Sequence, residues 1–269
     1  MILDETLEII KSGYSGEFND ITIEKLVAGI YLTAIKLSNG YCGLASNETD
    51  RLDSCTHNRN RGFGSFTPGN FTGQKVADLF DLADPPCLVR TVQLAAMNAL
   101  SAGLVNGQGY TIIENADPVG LIDLAQKQQI CVVGAFLSYI KKISQSNSVL
   151  KIVELNENAV PDHYRQYYVP LEKSEAVIAQ SDIVIITGAS LANDTLDRLL
   201  EIIPVDTKVI LVGPTSGLLP DVLFAKGVNI IGSTRITDAG KMFELVAEGA
   251  AGFHLFNYCA TKICIVNEP

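Results

Sequence analysis

The stretch IVIITGASLANDTLDRLLEIIPVDTKVILVGPTSGLLPDVLFAKGVNIIGS, residues 183–233, holds three short apolar runs, Ile183–Thr187, Val209–Val212 and Val228–Ile231. Segments with helical spacing separate them. Runs of four or five apolar residues bounded by glycine and proline read as strands buried on both faces, and their alternation with helices predicts βαβ crossovers and a parallel sheet. Working outward, Ile130–Val133 and Val149–Leu155 extend the same alternation upstream, and Lys262–Val266 offers a last strand. Asp117-Pro118 reads as a capped helix start that opens this half.

The first half has a different texture. Leu3, Leu7 and Ile10 share one helical face, and Ile21–Ser46 is rich in β-branched residues and broken at Asn39-Gly40, which predicts a β-meander with a type I′ hairpin turn. Asp84-Pro85-Pro86 marks the start of a helix, CLVRTVQLAAMNAL, apolar nearly all round and therefore central, with Arg90 and Asn98 as its conspicuous polar members. Three glycines between Gly103 and Gly109 place a boundary there, giving a smaller α+β domain over 1–106 and an α/β domain over 107–269.

Composition narrows the function classes. Hydrophobic residues make up 47% and charged residues 19%, enough to bury a core, and the net charge of -10 repels a phosphate backbone. The N-terminus carries acids where a secretion signal needs bases, and no uninterrupted apolar run approaches the length of a membrane span, so the expected location is the cytoplasm. Cys42, Cys55, Cys87, Cys131, Cys259 and Cys264 lack the spacing of a zinc or redox motif and read as free thiols.

Parallel sheets bind ligands where loops leave the carboxyl ends of their strands. Here those exits are Gly134-Ala135-Phe136, Gly188-Ala189-Ser190 with Asn193 as an N-cap, Gly213-Pro214-Thr215-Ser216-Gly217 and Gly232-Ser233-Thr234. Glycine admits a ligand close to the backbone, and the neighbouring hydroxyls supply neutral hydrogen bonds. Glu154, about 20 residues after Gly134, stands where ribose binders place a carboxylate, and serves equally as a capping or surface acid. Phe136 and Tyr139 occupy the second and third glycine places of a dinucleotide fingerprint, which disfavours NAD. His163, in PDHYRQYY, is a candidate acid or base or an exposed loop histidine, and His254 in GFHLF reads as packed. The long stretch from Asn47 to Gly73 bears Arg59 and Arg61 among interleaved phenylalanines, either as a basic flap over a ligand or as a solvated loop.

With VVGAF (132–136), IVIITGASLANDTLDRLL (183–200) and VGPTSGLLPDVLFAKGVNIIGS (212–233), the second half resembles the uncharacterised bacterial and archaeal family described as putative heavy-metal chelation proteins. The resemblance implies a Rossmann-like three-layer parallel sheet preceded by a domain similar to the N-terminal domain of enolases. It implies a site in the interdomain cleft and a role in condensation or hydrolysis of a pterin-, flavin- or siderophore-like metabolite linked to metal chelation. By position it carries over Gly134, Phe136, Gly188, Asn193, Gly213, Pro214, Thr215 and Gly232. The expected partner is a small anionic or heteroaromatic metabolite, without nucleic acid, membrane or direct metal ligands, and with assembly into a homo-oligomer left open. Two other readings stay beside the enzyme: a non-catalytic small-molecule or metal-handling protein, and an S-adenosylmethionine-dependent methyltransferase-like protein.

Overall fold

The computed structural model describes residues 1–47, 65–82, 85–106 and 109–267. Helix α1 (Ile2–Gly13) buries Ile2, Thr6 and Ile10, with Asp4 and Glu5 in its first turn and Lys11 in its last, each charge matching the helix dipole. A meander of β1 (Ile23–Ala28), β2 (Leu32–Leu37) and β3 (Cys42–Ser46) follows, paired antiparallel in that order. The hairpin at Asn39-Gly40 lies where the dipeptide places it, but it is not type I′. Only Gly40 takes a positive φ, 89°, and its N–H donates to the Leu37 carbonyl at 2.9 Å. This is a three-residue loop closed by a left-handed glycine.

After α2 (Val76–Phe80), helix α3 (Cys87–Val105) crosses β2 and β3. It is long and apolar enough to cross a membrane by length and composition, yet most of it is buried inside the molecule, as its all-round apolarity predicts. It starts after Pro86, later than the sequence signal suggests; Asp84 lies outside the described residues. Gly43 is needed here for space, since a Cβ would come within 2.1 Å of the Ala95 carbonyl oxygen.

The second sheet comprises β4 (Thr111–Glu114), β5 (Gln129–Val133), β6 (Val149–Val153), β7 (Tyr168–Val169), β8 (Ile183–Thr187), β9 (Lys208–Val212), β10 (Val228–Ile236) and β11 (Ala260–Val266). Its order is β4-β11-β10-β9-β8-β5-β6-β7, parallel from β10 to β7, with β11 and β4 joined by antiparallel pairing. The chain winds from β5 outward to β7, returns to β8 beside β5, and winds the other way to β10. That is the doubly wound order of dinucleotide-binding sheets, with the switch point between β5 and β8. Helices α4 (Leu137–Ser144), α5 (Ser174–Ala179), α6 (Ala189–Ala192), α7 (Leu196–Ile202), α8 (Pro220–Ala225), α9 (Ala239–Ala247) and α10 (Gly252–Leu255) complete the layers.

One apolar core runs through both sheets, joining Ile10, Ile35, Ala95 and Leu100 to Ile186, Leu211 and Leu223. A second, with Ile140, Ile143, Ile152, Ile185 and Ile210, lies on the opposite face of the large sheet. A third packs Leu32, Ala34 and Leu44 against Met242, Phe243 and Val246 of α9. The alternation along β2, with Leu32 and Ala34 to one side and Ile35 and Leu37 to the other, thus buries both faces of the meander.

Three further expectations change. Pro118–Leu121 is a single 3-10 turn rather than a helix, with Asp117 Oδ1 accepting from the Val119 N–H at 3.2 Å. Gly232-Ser233-Thr234 does not leave a strand, because pairing with β11 carries β10 on to Ile236. Cys42, Cys131, Cys259 and Cys264 are free thiols, whereas Cys87 is disulfide-bonded.

Candidate functional site

Beyond β9 the chain reverses at Gly213, whose φ of 134° lies in the range that favours glycine, and enters a 3-10 turn, Pro214–Ser216. Three parts of the molecule hold this turn. Thr215 Oγ1 accepts from the Ser46 N–H of β3 at 2.9 Å, and Ser216 Oγ lies 2.7 Å from the carbonyls of both Gly213 and Gly232. Asn98 of α3 donates from Nδ2 to the carbonyls of Leu44 at 2.6 Å and of Pro214 and Thr215 at 3.2 Å. Gly188 lets the turn come close, since a Cβ there would lie 3.0 Å from the Ser216 nitrogen. Thr215 and Ser216 are fully buried, so their hydroxyls brace the turn from behind.

In front of the turn lies a cavity of about 550 Å³ between the two sheets. Tyr31, Leu32 and Ser46 of the meander form one wall, and Phe136 to Tyr139, Gly213, Pro214, Gly232 and β11 form the other. Phe253 and Phe256 of the α10 segment close its side. The rings of Phe136 and Tyr139 are 5.5 Å apart and stacked. Gly232 sits inside β10 because a side chain there would meet Pro118 Cγ at 2.4 Å. Its absence lets the 118–121 turn cross the sheet.

One cation reaches the cavity among its described lining residues. Lys262 Nζ is 2.6 Å from Asp117 Oδ2 and 5.3 Å from the centre of the Phe256 ring. Asp117 also faces Tyr139, whose phenol is pushed above the usual tyrosine range by burial first and by the aspartate charge second. Burial raises the neighbouring Cys264 thiol to about 12, with Asp117 adding to the rise and Lys262 opposing it. Tyr139 and Cys264 are therefore protonated near neutral pH, and Cys264 supplies no thiolate. Among the described residues, no three His, Cys, Asp or Glu side chains gather to hold a metal ion.

The structure brings together some of the sequence candidates and separates others. Phe136, Gly213, Pro214 and Gly232 line the cavity, and Gly188, Thr215 and Ser216 stand behind it. Gly134, with φ 108°, turns the chain out of β5, and a Cβ there would meet Thr187 at 3.0 Å, so the switch point itself is closely filled. Glu154 caps a turn by accepting from the Asn156 N–H at 3.1 Å. Asn193 Oδ1 accepts from the Thr195 hydroxyl at 2.6 Å, and Thr195 rather than Asn193 precedes α7. His163 is exposed and lies against Tyr164, with ring centroids 4.0 Å apart. His254 is exposed rather than packed, its Nδ1 accepting from the Ala251 N–H at 3.0 Å. Arg59 and Arg61 lie outside the described residues. Sequence reasoning missed Lys262, Phe253, Phe256 and Tyr31, and saw in Asp117 only a cap.

Residues 117–265 match the model of a family described as putative heavy-metal chelation, and residues 13–101 match a second model with the same description. An uncharacterized protein of Methanocaldococcus jannaschii is 27% identical over 198 residues, covering 70% of this chain and 68% of that protein. A crystal structure from Pyrococcus horikoshii, a protein of unknown function in the family matched by residues 117–265, superimposes with a TM-score of 0.78 at 18% identity, covering 99% of this chain and all of that one. A second, from Desulfitobacterium hafniense, gives 0.73 at 23% identity, with 98% and 100% covered. These two likenesses show the shared fold.

Proposed function

Because the chain belongs to the family described as putative heavy-metal chelation, we propose that its cavity between the two sheets binds a small, flat, anionic or heteroaromatic metabolite of the pterin, flavin or siderophore type. The observation that carries this reading is the joining of five aromatic side chains, Tyr31, Phe136, Tyr139, Phe253 and Phe256, with the ammonium of Lys262 around one cavity of about 550 Å³. That volume falls within the roughly 300–1,000 Å³ typical of pockets for small organic ligands. Aromatic walls favour a planar ring, and a lysine held in place favours an anionic edge through a charge-assisted hydrogen bond. In this reading the chain acts on the metabolite that chelates, and the metal meets the metabolite. Condensation or hydrolysis at the site would draw on Tyr139 and Lys262, which line the cavity, and on Asp117, which is bonded to Lys262 from behind the wall.

Calorimetric titration with pterin-6-carboxylate, flavin mononucleotide and 2,3-dihydroxybenzoate tests this. At least one probe is expected to bind saturably, and Lys262→Met to weaken it about tenfold or more, as the loss of a charge-assisted hydrogen bond of about 1.5–3 kcal/mol requires. Binding unchanged in both Lys262→Met and Phe136→Ala, or no binding of any probe, defeats the reading. Stoichiometric metal retained by the purified protein through dialysis would favour metal handling instead.

A further inference from the structure

On the β10–β11 wall of the aromatic cavity, Thr234 and Lys262 are direct partners in the antiparallel ladder, and both line the cavity. Directly opposed residues of antiparallel strands project to the same face, with Cβ atoms about 4.5–5.5 Å apart. Their neighbours settle which face this is. A Cβ at Gly232, two residues before Thr234, would meet Pro118, whereas Ser233 between them turns its Oγ to the opposite face, towards Gly217. Asp117, next to Pro118, accepts from the Lys262 ammonium at 2.6 Å. The Thr234 hydroxyl and the Lys262 ammonium therefore stand together on the side of the Asp117-Pro118 turn.

Both groups have donors to spare. Lys262 Nζ carries three hydrogens and gives one to Asp117, and Thr234, half-buried, makes no side-chain hydrogen bond among the described residues. Asp117 is taken up on both oxygens, Oδ1 by the Val119 N–H at 3.2 Å and Oδ2 by Lys262. It therefore aims the ammonium and offers a ligand no further acceptor. Its charge also offsets that of the lysine. A single negative charge entering here meets two kinds of free donor, while a second would meet only repulsion from the fixed carboxylate. The Phe256 ring, its centre 5.3 Å from Nζ, flanks the pair with an apolar surface.

We infer that the ligand of the aromatic cavity is a ring-borne carboxylic acid, a monoanion, and that Thr234 selects its acid group together with Lys262. One carboxylate oxygen accepts from the Thr234 hydroxyl and the other from the Lys262 ammonium, while the ring lies against the aromatic walls. A doubly charged phosphate gains nothing at this subsite. The inference rests on the proposed binding of a flat metabolite in this cavity and narrows its chemical class.

The test pairs each acid with an uncharged counterpart in calorimetry on the intact chain at pH 7: pterin-6-carboxylate with 6-hydroxymethylpterin, 2,3-dihydroxybenzoate with catechol, and flavin mononucleotide with riboflavin. At least one carboxylate is expected to bind tenfold or more tightly than its counterpart, and flavin mononucleotide within threefold of riboflavin. Thr234→Val should cut the carboxylate preference to threefold or less, and Thr234→Ser should restore it. If the valine variant does not fold, Thr234→Ala takes its place. No carboxylate preference in wild type, a preference kept in full without the hydroxyl, or a tenfold gain from the phosphate overturns the inference. Ring compounds that bind without such a preference leave the binding of a flat metabolite standing, whereas no binding by any of the six compounds overturns both.

Discussion

Replacing Asn98 by leucine keeps the bulk of the side chain and removes the amide that ties β3 and the 214–216 turn to α3. The bond to Leu44, at 2.6 Å, is short, while those to Pro214 and Thr215, both 3.2 Å, are weaker. Together they contribute about 2 kcal/mol, and leaving the buried Leu44 and Thr215 carbonyl oxygens and the half-buried Pro214 oxygen facing methyl groups adds about 1–3 kcal/mol of uncompensated desolvation. Removing the unpartnered Oδ1 gives back about 1 kcal/mol, so the net destabilisation is roughly 2–4 kcal/mol. In a chain of 269 residues that lowers the melting temperature by roughly 4–7 °C. Urea unfolding followed by far-ultraviolet circular dichroism, with thermal melts alongside, measures both quantities. A leucine variant within about 0.5 kcal/mol of wild type would refute the claim that this amide joins the layers.

Two further outcomes follow from close packing and from burial. Gly232→Ala forces a Cβ to within 2.4 Å of Pro118 Cγ and should cost roughly 1–3 kcal/mol in chemical denaturation, while loosening the cavity wall enough to weaken ligand binding. Cys131 is fully enclosed, and burial lifts its thiol from a usual value near 9 to about 12. The folded chain therefore holds a proton that the unfolded chain releases above pH 9. This contribution is whole below pH 9 and is lost as pH rises towards 12, at about 1.4 kcal/mol per pH unit. Denaturation midpoints from pH 8 to 11 should fall less steeply in Cys131→Ala than in wild type, and parallel slopes would count against the buried-thiol account.

The large sheet was legible because its strands are buried on both faces, so Ile183–Thr187 and Val209–Val212 announce themselves without any partner. β4 was not legible: Thr111–Glu114 is four residues long, half-buried at a sheet edge, and carries little periodicity. At the site, glycine pointed to the right region for two different reasons. Gly213 is needed for its backbone angle, and Gly188 and Gly232 for what packs against them. Lys262 escaped notice because β11 runs antiparallel beside β10, and only that return brings it to Asp117, 145 residues away in sequence. Asp117 was read correctly as a local cap. Its second oxygen answers to tertiary structure, which spacing along the chain does not reveal.

The core that passes without a break from α1 and the meander into β8 and β9 also decides how the aromatic cavity can be entered. Enzymes with a cleft between loosely joined lobes admit their ligands by swinging the lobes apart. Here such a swing would tear open a sealed apolar interior and strip Asn98, Ser46 and Thr215 of their bonds. For the ligand proposed above, entry would fall instead to the rim, where Tyr31, Leu137 and Phe253 line the cavity and are each about half exposed or more.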